Sequence, residues 1–428
     1  MRWEPRVTES VFTYAAPGLK FGRGASDELG WDVQQLCRDV PGDGTRRVLL
    51  VTDRGVAATG HPDRIADGMR SRGLEVVVYA DARVEPTDAS LEAAVAAALA
   101  SGPFHAVVAV GGGSSIDTAK AVDLMLTNPG DLLDYVNAPV GGGRAPERRL
   151  LPLVAVPTTT GTGAESTTIC VLDVLALKVK TGISHARLRP TLAIVDPDLT
   201  MTQPAMVTAS AGMDILCHAL ESWTARWFAD FEAKRPEQRV PYCGANPIAD
   251  MWAEKSLSLL AGSFRTAVRD GTDREAREQM ALAATFAGLG FGNAGVHVPH
   301  ACAYPIAGRV RDYRPEGYPA DEPIVPHGMA VVMTAPAAFA LLHDAAPERH
   351  RRAAELLGGE GEPLPDVLRA LMRDVGLPSG LAELGYGAAD VDDLVEGALK
   401  QQRLLATAPI EVTSDDLATV FRDSLEHW

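Results

Sequence analysis

The sequence predicts an α/β N-terminal domain over residues 1–203 joined to an all-α C-terminal domain over residues 204–428. Three observations carry that reading. Between residues 47 and 200, short β-branched runs alternate with helical runs. From about residue 205 onward such runs become scarce, and long segments rich in Ala, Leu, Glu and Arg take over. The two patterns meet at "DPDLTMTQPA" (196–205), where prolines and aspartates punctuate the chain.

In the first half, "VLLVTD" (48–53), "LEVVVYA" (74–80), "AVVAVGGG" (106–113), "LPLVAVPTT" (151–159) and "TLAIVDP" (191–197) are predicted strands. They are nearly continuously apolar, as strands of a parallel sheet buried on both faces are. The runs "RIADGMRSRG" (64–73) and "LEAAVAAALASG" (91–102) supply covering helices. In the second half, "MWAEKSLSLLAGSFRTAVRDG" (251–271) and "AREQMALAATFAGLG" (276–290) are predicted helices. The stretches 227–247 and 308–326 are polar and proline-bearing, and are expected to be irregular lids or binding loops.

Composition narrows the function. The 428-residue chain is 46% hydrophobic and carries a net charge of −16 with no dense basic run, which argues against nucleic acid or an anionic membrane surface as partner. Its most apolar window, "MAVVMTAPAAFALL" (329–342), is shorter than the ~18 residues that a bilayer requires and contains Pro336, so no membrane segment is expected. The start shows no basic region followed by an apolar run, and the five cysteines form no CxxC pair. The expectation is a cytoplasmic protein with a small-molecule ligand, and a homo-oligomer is allowed.

Two loops are candidates for holding that ligand. "AVVAVGGGSSIDTAK" passes from a strand through Gly111, Gly112, Gly113 and Ser114 into a helix, a setting in which bare backbone and a helix N-terminus favour a pyrophosphate. The GxGxxG fingerprint is not met, since its third glycine position is Ile116, and a plain chain reversal is the alternative. Asp53, ending the first predicted strand, either accepts ribose hydroxyls and disfavours a 2′-phosphate, pointing to NAD, or caps a loop. "PTTTGTGAES" (157–166) offers hydroxyls without bulk, as many loops do.

Metal ligands are the third candidate feature. In "AGMDILCHALES" (211–222), Asp214 and His218 stand four residues apart, on one face of a helix. His300 in "HVPHACAYP" and His327 in "VPHGMAVV" complete a four-ligand N/O set suited to Fe(II) or Zn(II). Each histidine alone is more simply a hydrogen-bonded structural residue; the conjunction favours a metal. Glu221 either orients a ligand ring or lies exposed on its helix, and Cys217 and Cys302 are taken as packing residues.

The order "GGGSSIDTAK", "PTTTGTGAES", "RPTLAIVDP", "MDILCHALES", "HACAYP" and "PHG" resembles the iron-containing alcohol dehydrogenase family over nearly the whole chain. "FGNAGVHVPHACAYPIAG" and the long segment before "CGANPIADMWA" look most like its hydroxyacid-oxoacid transhydrogenase branch. The resemblance implies the dehydroquinate synthase-like architecture: a dinucleotide-binding α/β domain and a helical metal-binding domain. It implies an NAD-dependent, iron-type (group III) alcohol dehydrogenase acting on a small alcohol or hydroxyacid, or the matching aldehyde. By motif, Asp214, His218, His300 and His327 take the metal, with Fe(II) expected before Zn(II). Gly111, Gly112, Gly113, Ser114, Asp117, Thr158, Thr159, Thr162 and Lys180 take NAD, Lys178 being the neighbouring alternative to Lys180.

Many relatives carry a proton-relaying histidine four residues after the third ligand, where this chain has Tyr304. His297, three residues before His300, is the expected substitute, with a structural hydrogen bond as its other reading. Arg309, Arg311 or Arg314 is expected to meet an anionic substrate end, a carboxylate or a phosphonate. The alternatives are reduction of another small anionic aldehyde, such as a phosphonate aldehyde, and a lyase like the dehydroquinate synthases.

Overall fold

The computed structural model describes residues 8–42, 44–177, 179–318 and 322–428. The chain divides into two compact units, Ala16–Gln203 and Met1–Ala15 with Pro204–Trp428.

The first unit runs β1 (Gly18–Phe21), α1 (Leu29–Leu36), β2 (Arg47–Val51), α2 (Arg54–Ala57), α3 (His61–Arg70), β3 (Glu75–Tyr79), α4 (Asp88–Ser101), β4 (Ala106–Gly111), α5 (Gly113–Thr127), α6 (Leu132–Tyr135), β5 (Leu153–Pro157), β6 (Ile169–Val174), β7 (Val179–Ser184) and β8 (Leu192–Val195). A six-stranded sheet has the order β1-β8-β5-β4-β2-β3, and every pairing in it is parallel. The alternation of side chains along each strand splits the apolar residues between two layers. Val48, Leu50, Val108 and Val156 join Leu29, Val33, Ile65 and Met69 on one face; Leu49, Val51, Val107 and Ala155 join Ala94, Ala98, Ile116 and Ala119 on the other. Burying each Val, Leu or Ile is worth about 1.5–3 kcal/mol, so two covered faces account for why these strands lack polar alternation.

The five predicted strands are all present. Two features were not read from the sequence: the short edge strand β1, and the antiparallel hairpin of β6 and β7, which stands outside the main sheet. Strand order reverses between β2 and β4, because β3 lies beyond β2 while β5 and β8 lie beyond β4. A reversal of this kind opens a crevice at the carboxyl ends of the two strands. Asp53 follows β2 there, and the Gly-rich turn follows β4.

The second unit contains α7 (Ala205–Thr224), α8 (Pro247–Arg269), α9 (Arg274–Ala294), α10 (Val298–Gly308), α11 (His327–Leu341), α12 (Pro347–Leu356), α13 (Leu364–Asp374), α14 (Val391–Leu399), α15 (Gln402–Leu405) and α16 (Ser414–Asp423). Helix α7 is buried on nearly all sides and packs on α8, α9 and α11. Gly212 makes the α8 approach feasible, since a Cβ there would stand 2.1 Å from the Phe264 ring. The stretches 227–247 and 308–326 have no long element among the described residues. No single helix among those residues is long and apolar enough to cross a membrane.

The α/β domain does not begin at residue 1 as expected, because residues 8–15 fall with the helical unit. The Glu9 N–H donates to the Phe231 carbonyl at 2.8 Å, and the Glu9 carboxylate accepts from Arg239, Ser10, Val11 and Lys234. A single acid with that many donors fixes the segment to the 231–239 loop, which periodicity cannot reveal.

Asp123 offers a stability test. It lies buried on α5, accepting the Leu151 N–H at 2.9 Å, and burial pushes its carboxyl up to about 8. The folded state therefore holds a proton that the unfolded chain releases near pH 4. Its stability is intact below about pH 4 and is lost progressively as pH rises toward about 8. Asp123→Asn keeps the acceptor without the ionisation, so calorimetry at pH 8 should show a higher melting temperature than wild type, with little difference at pH 4.

Candidate functional site

Helix α7 carries Asp214, His218 and Glu221 at spacings of four and three, which puts all three on one stripe of a buried helix. Helix α10 begins at Val298 and brings His300 to the stripe, and α11 begins at His327 itself. Gly328 sets that approach: a Cβ there would lie 2.1 Å from the Ser210 carbonyl oxygen and 2.7 Å from Asp214 Cβ. The Met329 N–H donates to Ser210 Oγ at 3.1 Å, tying the first turn of α11 to α7.

The Nε2 atoms of His218, His300 and His327 stand 3.7, 3.6 and 3.8 Å from Asp214 Oδ1. These separations are too long for hydrogen bonds and close to the ~3.4 Å edge of a tetrahedron with ~2.1 Å metal–ligand bonds. Ligand atoms of Asp214, His218 and His300 lie within 4.8 Å of one another, all three residues buried. Asp214 Oδ1, His218 Nδ1 and His300 Nε2 are buried without a hydrogen-bond partner. A protein seldom leaves such atoms orphaned, and this donor set fits a divalent cation.

Glu221, for which an exposed position was the simpler expectation, is instead fully buried. Its Oε1 lies 2.5 Å from His300 Nδ1, and its Oε2 accepts the His297 N–H at 2.5 Å and the His300 N–H at 3.4 Å. A proton on His300 Nδ1 donated to the carboxylate leaves Nε2 as the basic nitrogen that faces Asp214. Phe291 stacks on His218 with ring centroids 3.8 Å apart and fixes its plane.

Burial works against charge at every one of these groups, yet the outcomes differ. It pushes His218 down to about 3. At His300, Glu221 and Asp214 outweigh burial and raise the ring to about 9. Asp214 is held below the ordinary carboxylate range by His218, His327 and His300 despite its burial, and Glu221 by His300 and His297.

His297 does not share a helix face with His300. It is the residue before α10, fully buried, with Nε2 3.0 Å from Thr224 Oγ1, and burial pushes it down to about 4. That placement suits the structural reading of His297 and not a proton relay: the ring is in the core, and the backbone N–H donates to Glu221. Tyr304 lies one turn beyond His300, its ring edge-on to His327 with centroids 6.5 Å apart. Arg309 pairs with Asp393, Arg311 with Asp390 and the Gly385 carbonyl, and Arg314 donates to the Asp312 carbonyl.

In the sheet unit, the Gly-rich turn is packed against the Thr-rich loop. A Cβ on Gly113 would stand 2.8 Å from Thr162 Oγ1, so bare backbone is required there, and one on Gly112 would be tight against Thr159 Oγ1 at 3.2 Å. The buried hydroxyls of Thr158 and Thr160 have no hydrogen-bond partner. With the amide groups that open α5, this is a cradle suited to an anion-bearing nucleotide. Asp53 caps α2 by accepting the Val56 N–H and also accepts the Ser115 hydroxyl at 2.9 Å, so the capping reading holds. Each of its oxygens keeps a second lone pair.

Asp117 and Lys180 are not exposed to the cradle as simple contacts. Asp117 binds Lys120 at 3.3 Å and the Val171 N–H at 2.9 Å. The first of these lies within α5, and the second attaches the hairpin to it, so both Asp117 oxygens are engaged by the protein. Lys180 is buried on β7 between Glu85 at 2.5 Å and Asp173 at 2.9 Å. Burial alone would lower its ammonium, but the two carboxylates raise it above the ordinary lysine value. Lys178 lies outside the described residues.

Comparison with known proteins bears on these sites. Residues 17–197 match the family model for iron-containing alcohol dehydrogenases, and residues 237–425 match the model for the C-terminal part of that family. The mitochondrial hydroxyacid-oxoacid transhydrogenase of Xenopus laevis is 42% identical over 433 residues, covering 98% of this chain and 92% of the relative. That of Homo sapiens is 41% identical and covers 98% and 91%. A 1,3-propanediol oxidoreductase superposes with a TM-score of 0.82 at 30% identity, covering 97% of this chain and all of its own. A sulfoacetaldehyde reductase from Bifidobacterium kashiwanohense, solved in complex with NAD+, superposes with a TM-score of 0.78 at 28% identity, covering 96% and 98%. The expectation of a cytoplasmic protein is overturned here, since these transhydrogenase relatives are mitochondrial. Free, unpaired cysteines report a reducing environment and do not identify the compartment.

Two substitutions test the metal centre. Glu221→Gln should bind ferrous iron about 10- to 100-fold more weakly by titration, because His300 loses the anion that fixes its tautomer. Gly328→Ala should purify with reduced metal content by elemental analysis, because the new methyl drives the start of α11 away from Ser210; full occupancy in that variant refutes the close-approach explanation.

Proposed function

The chain belongs to the iron-containing alcohol dehydrogenase family, and from that premise we propose that it is an iron- and NAD-dependent enzyme carrying hydride from a small hydroxyacid to an oxoacid. At the coarser level it is a metal-dependent, hydride-transferring oxidoreductase of small alcohols or hydroxyacids. The observation that carries the proposal is the convergence of ligand atoms of Asp214, His218 and His300, with Asp214 Oδ1 and His300 Nε2 buried and without a hydrogen-bond partner and His327 in reach.

Held by Asp214, His218, His300 and His327, a divalent metal supplies Lewis acidity to a hydroxyl or carbonyl oxygen. Held at the Gly-rich turn, a nicotinamide supplies the hydride chemistry. The chain's own residues prepare both. Asp214 contributes the one anionic ligand, which offsets part of a cation's charge. Glu221 keeps the His300 proton on Nδ1, and Phe291 holds His218 in plane. His327, 23% exposed, is the most open of the four ligands, and Tyr304 lies edge-on to it. We assign proton exchange on that side to the Tyr304 phenol. Asp53 adds negative charge at the switch point of the sheet, which disfavours a 2′-phosphate and favours NAD over NADP.

The test is coupled turnover. Purified protein reconstituted with ferrous iron should oxidise a 4-hydroxyacid while reducing a 2-oxoacid in equal amounts, lose activity to a chelator and regain it with iron. Reduction of simple aldehydes by NADH without any hydroxyacid turnover would leave a plain alcohol dehydrogenase. Tyr304→Phe is expected to lower kcat by about tenfold with metal content unchanged; wild-type kcat across the pH range would remove Tyr304 from the mechanism.

A further inference from the structure

We propose that Glu85 is a positioning residue for the nucleotide, orienting the Ser114 hydroxyl through its backbone and holding the Lys180 ammonium through its carboxylate. The inference rests on the NAD reading above and concerns residues of the sheet unit alone.

Glu85 is the one non-glycine residue with positive φ among the described residues, at 55°. Left-handed backbone is disfavoured for any L-residue with a Cβ, and a residue before proline is pushed toward extended conformations. Glycine is the expected occupant of such a position. The neighbouring structure holds glutamate there. The Asp173 N–H donates to the Pro86 carbonyl at 2.8 Å, and Thr87 caps α4 by accepting the Ser90 N–H at 3.1 Å. Strain maintained in this way is a mark of a functional position.

From this position Glu85 bonds to two elements, one through its backbone and one through its carboxylate. The Glu85 N–H donates to Ser114 Oγ at 3.1 Å, and Glu85 Oε2 reaches Lys180 Nζ at 2.5 Å. Ser114 is the second residue of α5, at the helix start where anions are favoured. A hydroxyl that accepts an N–H turns its own hydrogen away from that donor, which makes it available to an anionic oxygen. The Lys180 side chain is 2% exposed while those of Glu85 and Asp173 are 26% and 23% exposed. A buried ammonium is thereby kept charged and fixed beneath two partly open carboxylates. One residue thus links the glycine turn to the hairpin that bears the lysine.

The experiment measures NADH binding by fluorescence titration alongside thermal melting, using the full-length chain. Glu85→Gly keeps the backbone N–H, relieves the left-handed strain and removes the carboxylate; Glu85→Gln keeps the size and removes the charge. Measured at a temperature well below the melting transition of each variant, both should bind NADH more weakly, the glycine variant by about tenfold. Wild-type NADH affinity in both variants overturns the proposal. So does a glycine variant that melts earlier yet binds NADH normally, since Glu85 is then only a structural partner of Lys180. A wild-type protein that binds no NADH sinks the NAD reading itself, and this inference with it.

Discussion

The helical unit depends on the hydrogen bond between Glu221 and His300. Two carboxylates and three imidazoles inside an apolar helix bundle are costly, because a polar or charged group buried without partners loses its hydration. Glu221 meets that cost with three donors: the His300 ring and the N–H groups of His297 and His300. The same contacts fix where α10 begins and which nitrogen of His300 is basic. Without them Asp214 would face rings of undefined orientation.

The two acids of α7 are therefore unlike. Glu221 is satisfied by the protein, whereas Asp214 Oδ1 is left with three imidazole nitrogens at nearly equal distances and no hydrogen bond. An atom so placed is structural debris in a stable core, or it awaits a cation. The ordinary preference of proteins for satisfied buried polar groups favours the second reading. The glycines around it have a shared purpose. Gly212 and Gly328 allow α8 and α11 to approach α7 more closely than any side chain permits, so the candidate ligands are held by packed helices and not by loops.

The sheet unit solves a similar problem with different means. Its central strands are buried on both faces, so polar function is confined to the carboxyl ends, at the reversal of strand order between β2 and β4. There Gly113 lies against Thr162 too closely for a side chain, Gly112 is tight against Thr159, and Asp53 braces the turn through Ser115. The β6–β7 hairpin, outside the sheet, is attached to α5 by Asp117 and Lys120. That attachment accounts for why Asp117 is a bracing residue although it sits in a motif that suggests a ligand.

By itself the sequence determined the alternation that makes a parallel sheet, the helical second half, the strand-turn-helix at Gly111–Gly113 and the candidate ligands Asp214, His218, His300 and His327. These are legible because period and spacing are local: two residues four apart on a helix share a face wherever that helix lies. Tertiary structure decided what depends on neighbours distant in the chain. Glu221 could orient a ring or lie exposed, and His297 could relay protons or be structural, but burial and a 2.5 Å contact made Glu221 the partner of His300, while Thr224 and burial placed His297 in the core. That Arg309 and Arg311 have Asp393 and Asp390 beside them is likewise invisible in the linear pattern. The left-handed backbone of Glu85 leaves no trace in composition, since only the bonds from Ser114, Asp173 and Lys180 impose it. Such roles are set by desolvation and partner geometry, which a one-dimensional pattern does not carry.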